Sequence, residues 1–310
     1  MQQSNHKGTI FSTNKSINCN GSLFDLSLPV VMGILNITDD SFYDGGSYTS
    51  AEKVLQRAQT ILDEGGTIID VGAVSTRPGA KLLPIEEEIE RLVPVIKLLK
   101  KEFPETIVSV DTCWSKVAEA VAGCGADIIN DISGGQFDNE MFPVVRKIKL
   151  PYILMHTQGV PQEMQNNPVY TNVVDDLMLF FSEKVNELRQ MGVHDIILDP
   201  GFGFGKTIDH NYELMSRMNE FEVFELPILV GISRKSMIYK FIGGSPDTAL
   251  PGTIALNTFA LLNGANILRV HDVKAAVDCV KIVRKVQGSR YKVFNLMDGL
   301  LVILSGMQWR

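Results

Sequence analysis

Charged side chains in this sequence recur directly after short runs of apolar, β-branched residues. Arg269 and His271 lie two residues apart at the end of one such run, and Lys235 follows another. Side chains of these types, gathered in one place, would bind an anion such as a phosphate or a pyrophosphate. Other runs end in carboxylates, amides or an imidazole, at Asn36, Asp70, Asp111, Asn130, Asp131, His156 and Asp199.

The carboxylate and amide groups suit a flat heterocycle rather than a second anion. A carboxylate accepts two parallel N–H bonds from a guanidinium, and an aminopyrimidinone presents a similar edge. The combination indicates a ring with a phosphate-bearing arm. A structural role is open for Asp70 and Asp272, because short polar residues at strand ends often cap the following helix.

The elements that position these residues alternate along the chain. Eight apolar runs predict strands at Val30–Asn36, Thr67–Ala73, Thr106–Thr112, Asp127–Ser133, Pro151–His156, Asp195–Gly201, Pro227–Ser233 and Asn266–Asp272. Amphipathic segments between them predict helices, among them Ala51–Glu64, Glu86–Lys101, Lys116–Gly123, Val173–Met191 and Thr253–Asn263. Eight such units in about 250 residues are typical of an α/β fold of the TIM (β/α)8 barrel type, whose active sites lie at the carboxyl ends of the strands.

Two segments fall outside the barrel repeat. Residues 9–29 contain an Asn20–Gly21 turn between apolar runs, which predicts a β-hairpin that plugs the bottom of the barrel. Residues 1–289 are therefore interpreted as a single domain, and residues 290–310 as a C-terminal extension. The apolar residues of that extension favour packing on its own domain or on a twin subunit, and the two remain open.

Composition excludes several classes of partner. The formal net charge is −7, and no run of Lys or Arg is longer than Lys100–Lys101, which argues against nucleic acid and anionic membrane surfaces. The four cysteines form no CxxC pair, and no secretory leader or membrane-length apolar stretch stands out. We therefore expect a soluble, cytoplasmic protein.

Glycine-rich loops follow several of the predicted strands. The segment after the sixth strand alternates glycine with Phe202 and Phe204 before Lys206. Phe204 and Phe42 are placed either to cover an aromatic substrate or to pack under their own loops.

Taken in order, these motifs resemble the dihydropteroate synthase family. The similarity covers roughly residues 16–287 and rests on segments 32–42, 75–80, 109–112, 130–135, 154–156, 198–206, 233–236 and 269–272. The resemblance implies a transferase of folate biosynthesis. It would join 6-hydroxymethyl-7,8-dihydropterin pyrophosphate to para-aminobenzoate, releasing pyrophosphate, and would be a target of sulfonamides.

The resemblance also implies roles for individual residues. The pterin would be held by Asp111, Asn130, Met155, Asp199, Lys235 and Arg269. The para-aminobenzoate pocket would be formed by Phe42, Thr76, Arg77, Pro78, Phe204, Lys235 and Ser236. Pyrophosphate would be bound by Asn36, Arg269 and His271, with Asn36 as a ligand of Mg²⁺, and the enzyme would be a homodimer. Asn36, Lys235, Arg269 and His271 are the expected catalytic residues.

This chemistry needs no strong general base, because an arylamine is largely unprotonated near neutral pH. An SN1-like departure of pyrophosphate leaves a cation that the dihydropterin delocalises, and closing loops would exclude water. The chain departs from the usual family pattern at Asp39, where proline is common, and at Val74, where a carboxylate is common. We expect both changes to affect loop closure or sulfonamide affinity.

Three alternatives remain. A methyltetrahydrofolate-dependent methyltransferase shares the strand-end Asp and Asn pattern, although segments 76–79 and 233–236 argue against it. An aldolase-like barrel would use Lys235 as a Schiff base, with Arg234 lowering its pKa. A non-catalytic pterin-binding protein would bind the ring without turnover.

Overall fold

The computed structural model describes residues 15–37, 48–73, 82–159 and 168–288. It contains a two-stranded antiparallel hairpin and an eight-stranded parallel sheet. The strands are β1 (Ser16–Cys19), β2 (Ser22–Asp25), β3 (Val30–Asn36), β4 (Ile68–Gly72), β5 (Ile107–Asp111), β6 (Ile128–Asp131), β7 (Tyr152–Met155), β8 (Ile196–Asp199), β9 (Leu229–Val230) and β10 (Ile267–Val270).

The parallel sheet closes on itself as the alternation predicts. Strands β3 to β8 pair consecutively, β10 pairs with β3, and β9 pairs with β10. A single parallel bridge between Leu198 and Ile228 joins the β8 edge to the start of β9. The (β/α)8 barrel is confirmed, with most strands slightly shorter than predicted and β9 reduced to two residues.

Helices surround the sheet, as expected for this architecture. They are α1 (Tyr48–Asp63), α2 (Ile85–Glu102), α3 (Ser115–Ala122), α4 (Met141–Ile148), α5 (Val173–Gln190), α6 (Ile208–Ser216), α7 (Ser236–Ile242), α8 (Leu250–Leu262) and α9 (273–288). Local sequence fixes some of their ends. The Asn172 side chain accepts N–H bonds from Val174 and Asp175 and so caps α5.

The hairpin plugs the amino-terminal end of the barrel, as predicted. Ile17, Cys19 and Leu26 are buried against a ring of apolar side chains inside the barrel. The barrel contributes Met32, Ile68, Ile128, Ile153, Ile197, Leu229 and Ile267 to this cluster. Because side chains alternate along a strand, the next inward positions lie nearer the opposite end, which is left for polar groups.

The hairpin turn carries the left-handed backbone that its sequence favours. Asn20 and Gly21 have φ values of 50° and 89°, as a tight two-residue hairpin requires. The Asn20 side chain also donates to the Ala126 carbonyl and, at 2.7 Å, to the Asp127 carboxylate at the start of β6. The turn is therefore fastened to the rim of the barrel.

Other predictions on the ends of the chain lie outside the described residues, among them positions 9–14 of the hairpin segment and the extension at 290–310. The single-domain boundary at residue 289 stays a prediction. None of the helices within the described ranges combines the length and apolarity needed to cross a bilayer.

The plug yields a stability prediction. Replacing Ile17, which is 1% exposed, by alanine leaves a cavity beneath the barrel and should lower the free energy of unfolding by about 2–4 kcal/mol. The matched control is Leu23→Ala in the same hairpin, where the side chain is 79% exposed and the expected change is within about 0.5 kcal/mol. Urea unfolding measures both, and equal losses would contradict the plug.

Candidate active site at the carboxyl ends of the strands

The polar residues of the barrel mouth stand two and four positions beyond the apolar ring on their strands. Asp70 follows Ile68 by two residues, Asn130 follows Ile128, and Arg269 follows Ile267. The alternation of a β-strand therefore directs all three side chains into the barrel. The same spacing carries Ser109, Asp199 and Asp111 to the mouth.

Arg269 is the centre of this group. Its Nε donates to Asp70 at 2.6 Å, and its Nη2 donates to Asp111 at 2.9 Å. Asn130 and Ser109 also donate to Asp70, Ser109 at 2.6 Å. Burial lowers the pKa of Arg269, but the two carboxylates outweigh burial and raise it, so the guanidinium stays charged.

Asp70 is not a helix cap, contrary to the structural role considered from the sequence. It is fully buried inside the barrel, where its carboxylate accepts bonds from three side chains on three other strands. A cap would instead accept from the backbone N–H groups that follow it. Asp272 does precede α9, but its side chain forms a two-pronged ion pair with Arg234.

The carboxyl group of Asp111 has a raised pKa. Burial raises its pKa to about 7, and Asp70 and Glu88 add to the rise, while Arg269 opposes it. The carboxylate remains buried at the end of β5, beside the guanidinium. It can accept N–H bonds from a ring edge when ionised.

Lys235 enters the mouth from the loop between β9 and α7. Its Nζ donates to the Phe202 carbonyl and lies 4.4 Å from the centre of the Phe204 ring. Burial lowers its pKa to about 8, with Arg269 contributing and Asp199 opposing. The expectation that Arg234 lowers this pKa is wrong, because that guanidinium is paired with Asp272.

An apolar surface borders these charges. Met155, at the end of β7, packs with Ile132 and Phe204 in a small separate cluster. Phe204 therefore lies at the mouth, whereas Phe202 is buried between the sheet and the helices. Of the two rings in this glycine-rich loop, only Phe204 is placed to meet a substrate.

Asn36 and His271 occupy the ends of the adjacent strands β3 and β10, both half-buried. The imidazole Nδ1 and the backbone N–H of His271 both lie 3.1 Å from the Ser233 hydroxyl. Arg57 of α1 donates to the Ile34 and His271 carbonyls, which ties the two strand ends together. The Arg57 guanidinium therefore lies close to the strand ends where the sequence predicts a bound anion.

Two strand-end residues considered from the sequence point away from the mouth. Asp131 follows the inward Asn130 by one residue, and its carboxylate accepts from the Tyr152 hydroxyl and from backbone N–H groups of Ser133 and Gly135. His156 contacts the buried Lys206 through Nδ1 at 3.0 Å. Both residues stabilise the scaffold around the mouth.

The remaining predicted positions are Ser236 and the loop residues. Ser236 begins α7 directly after Lys235 and is half-buried. Phe42, Thr76, Arg77 and Pro78, with the departures Asp39 and Val74, lie outside the described residues.

Sequence reasoning gave no role to two members of this neighbourhood, Arg57 and Lys206, and left open whether Asp70 caps a helix. Asp70 could have been found from strand parity, since it stands two residues after Ile68 on a predicted strand. The partners of Arg57 and Lys206 depend on tertiary contacts that no local pattern shows.

Asn36 is the residue expected to bind Mg²⁺. Within the described ranges, no three His, Cys, Asp or Glu side chains are arranged to hold an ion. Asn36 offers one hard amide oxygen at the mouth. Mg²⁺ commonly binds through one or two protein oxygens together with substrate phosphates and waters, so this residue fits an ion carried largely by a pyrophosphate.

Comparison with known proteins shows clear relatives of this chain. A family model described as "Pterin binding enzyme" matches residues 32–271. The chain is 43% identical over 265 residues to the dihydropteroate synthase of Escherichia coli K12, covering 85% of this chain and 93% of that protein.

Solved structures show the same likeness. The Yersinia pestis dihydropteroate synthase in a sulfonamide drug complex superposes with a TM-score of 0.81 at 41% identity, covering 88% of this chain and 99% of that one. The Xanthomonas albilineans dihydropteroate synthase with 4-aminobenzoic acid gives a TM-score of 0.81 at 35% identity, with coverages of 88% and 98%.

The Arg269 network yields a stability prediction. Asp70→Asn removes a buried charge and turns an amide N–H₂ towards other donors, so the free energy of unfolding should fall by about 3–5 kcal/mol. Asp272→Asn breaks the more exposed pair with Arg234 and should cost about 1 kcal/mol. Urea unfolding at pH 7.5 tests the contrast, and similar losses from both variants would show that Asp70 does not anchor the site.

Proposed function

The chain belongs to the dihydropteroate synthases within the pterin-binding enzyme family, and from that membership we propose how its barrel mouth performs the reaction. The enzyme joins 6-hydroxymethyl-7,8-dihydropterin pyrophosphate to para-aminobenzoate and releases pyrophosphate. The observation that carries the assignment of roles is the convergence of Asp111, Asn130, Lys235 and Arg269 on one face of the barrel.

The pterin lies over the described charges. Asp111 accepts N–H bonds from the aminopyrimidinone edge, and Asn130, Asp199 and Lys235 complete the polar contacts around the ring. Arg269, held flat between Asp70 and Asp111, packs on one face of the ring. Met155 packs on the other and supplies a soft apolar contact.

The pyrophosphate arm points to the ends of β3 and β10. Its oxygens are bound by Arg269, His271 and Asn36, and the Ser233 hydroxyl sets the orientation of the His271 ring. Mg²⁺, when bound through Asn36 and the pyrophosphate itself, supplies positive charge to the departing anion. Arg57 beneath the same strand ends adds to the local positive potential.

The chemical step breaks the C–O bond between the exocyclic methylene carbon and pyrophosphate, with both electrons leaving on oxygen. Three carboxylates, those of Asp70, Asp111 and Asp199, lie close to Arg269 and Lys235. Carboxylates near the ring favour the cation left on it. The amine lone pair of para-aminobenzoate then forms the C–N bond, and its nitrogen loses a proton.

Para-aminobenzoate approaches along Phe204, Lys235 and Ser236, and the family resemblance adds Phe42, Thr76, Arg77 and Pro78 to its contacts. The Phe204 ring offers an apolar face to the benzene ring. Lys235 places an ammonium beside that face, where it can meet either the pterin or the carboxylate end of the pocket.

A pyrophosphate-release assay tests this function. The wild-type protein should release pyrophosphate in sustained turnover only when both substrates are present, and Arg269→Ala and Lys235→Ala should lower kcat/KM by about 100-fold or more. A matched control is Lys147→Ala, which breaks an exposed ion pair between the last turn of α4 and Glu119 of α3 and should leave kcat/KM unchanged. Binding of the dihydropterin without pyrophosphate release would instead select the non-catalytic alternative.

The pH dependence of the same assay follows from two displaced pKa values. Asp111 must be ionised to accept the ring edge, so kcat/KM for the pterin substrate should rise with pH up to about 7. Lys235 must be protonated to donate, so kcat/KM should fall again above about pH 8. Asp111→Asn should remove the rise of kcat/KM on the acid side of the pH profile, and Lys235→Arg should remove the fall on the alkaline side. If either pH dependence persists in its variant, the assignment is contradicted.

We also propose that the enzyme is a cytoplasmic homodimer. All four cysteines are free thiols, which suits a reducing compartment. Helices α7, α8 and α9 expose Phe241, Ile254, Phe259 and Ile282, and α8 carries no charged residue. An apolar surface of this extent on consecutive helices favours a self-complementary contact with a second copy.

Sedimentation velocity tests the dimer. Phe259→Glu places a charge on a side chain that is 58% exposed and should convert the dimer to a monomer at micromolar concentration. Leu179→Glu on α5, where the side chain is 62% exposed, is the matched control and should leave the dimer intact. A monomeric wild-type protein would reject the proposal.

A further inference from the structure

Lys206 is a buried lysine at the end of the glycine-rich loop 201–206, and no step of the reaction uses it. Its side chain is 2% exposed. Its Nζ donates to the carbonyls of Gly201 at 3.0 Å, Phe204 at 3.1 Å and His156 at 3.4 Å. One ammonium therefore fastens both ends of the loop to the end of β7.

The cage around Lys206 is made of neutral acceptors. Burial lowers the pKa of His156 to about 2, and Lys206 adds to the effect, so the imidazole is neutral. Its Nδ1 lies 3.0 Å from Lys206 Nζ, within hydrogen-bond distance. Burial lowers the pKa of Lys206 to about 7, and Asp199 opposes this fall.

The backbone of this loop lies too close to its surroundings for side chains. A Cβ on Gly201, whose φ is +68°, would stand 1.9 Å from the His156 carbonyl oxygen. A Cβ on Gly203, whose φ is +82°, would stand 3.1 Å from Lys235 Cδ. The loop is thus packed between the end of β7 and the Lys235 side chain.

The same loop supplies two of the contacts of Lys235. The Phe202 carbonyl accepts from Lys235 Nζ, and the Phe204 ring lies beneath that ammonium. Lys206 Nζ holds the Gly201 and Phe204 carbonyls on either side of Phe202. A displacement of the loop would therefore move the hydrogen-bond acceptor and the ring that orient Lys235.

We propose that Lys206 is a positioning residue for the para-aminobenzoate half of the site, acting through the Phe202 carbonyl and the Phe204 ring on Lys235. The proposal rests on the proposed function for the identity of the substrate. It assigns to Lys206 an effect larger for para-aminobenzoate than for the pterin, because the pterin keeps Asp111 on β5 and Asn130 on β6.

Steady-state kinetics of the full-length protein test this asymmetry. Lys206→Met keeps the length of the side chain but donates no hydrogen bond. It should raise KM for para-aminobenzoate about tenfold while KM for the pterin substrate changes by less than about threefold. Lys100→Met is the matched control, because Lys100 also binds a carbonyl, that of Thr106, but lies beside Asp127 at the opposite end of the barrel. It should leave both KM values unchanged.

A double-mutant cycle separates positioning from general destabilisation. In a Phe204→Leu background, Lys206→Met should raise KM for para-aminobenzoate by much less than it does in the wild type. The proposal is overturned if the two substitutions raise KM for para-aminobenzoate by independent factors that multiply. It is also overturned if the Lys206→Met variant keeps the wild-type ratio of the two KM values. If Lys206→Met does not fold, Tyr170→Phe removes a donor to the Gly205 carbonyl of the same loop. It should raise the same KM by a smaller factor, and no rise overturns the proposal.

A crystal structure of ligand-free Lys206→Met tests positioning without turnover. The hydrogen bond from Lys235 Nζ to the Phe202 carbonyl should be lost, and its retention would overturn the proposal. A wild-type protein that releases no pyrophosphate would reject the proposed function alone, since this structural readout does not depend on catalysis.

Discussion

The site depends on one buried ionic contact, the guanidinium of Arg269 held between Asp70 and Asp111. Taking three charges out of water costs several kcal/mol for each ion, and only close pairing with further hydrogen bonds offsets that cost. Asp70 meets this condition through additional bonds from Ser109 and Asn130. The network thereby joins β4, β5, β6 and β10 at the height of the mouth.

This contact explains why the barrel separates its tasks along its axis. The amino-terminal half is filled by apolar side chains and sealed by the hairpin, so it contributes burial without polar groups that need partners. The carboxyl-terminal half gathers charges that hold one another in position. Because the plug excludes water from below, the ion pairs face solvent only from the mouth, and their interactions are stronger than at a surface.

Much of this arrangement could be predicted from the sequence, for reasons that are local. The alternation of strands and helices predicts the barrel, and the Asn20–Gly21 turn predicts the hairpin. Strand parity separates Asn130, which points inward, from Asp131, which binds Tyr152 on the other face. Each of these features depends on residues close together in the chain.

The features that sequence could not predict are set by contacts between distant residues. Strand parity directs Asp70 into the barrel, but its partner Arg269 lies 199 positions away, so the sequence around Asp70 does not predict their ion pair. Lys206 follows a glycine-rich loop and is typical of an exposed loop lysine, yet the fold surrounds it with carbonyls. The comparisons with relatives establish the family and the reaction, while the roles of individual residues are proposals that rest on the resemblance and on the geometry.

Burial moves the pKa values of Asp111 and Lys235 towards each other. The pKa of Asp111 rises to about 7 and that of Lys235 falls to about 8. Both groups are ionised together only in a narrow interval, and within it neither is strongly held in its charged state. On the proposed roles, a pterin edge that donates to Asp111 would stabilise the carboxylate, and an acceptor that reaches Lys235 would stabilise the ammonium. Binding of the proposed substrates would therefore stabilise the charged forms of both side chains. The low dielectric constant of the buried site, which destabilises these charges when the site is empty, would strengthen each hydrogen bond to the substrate.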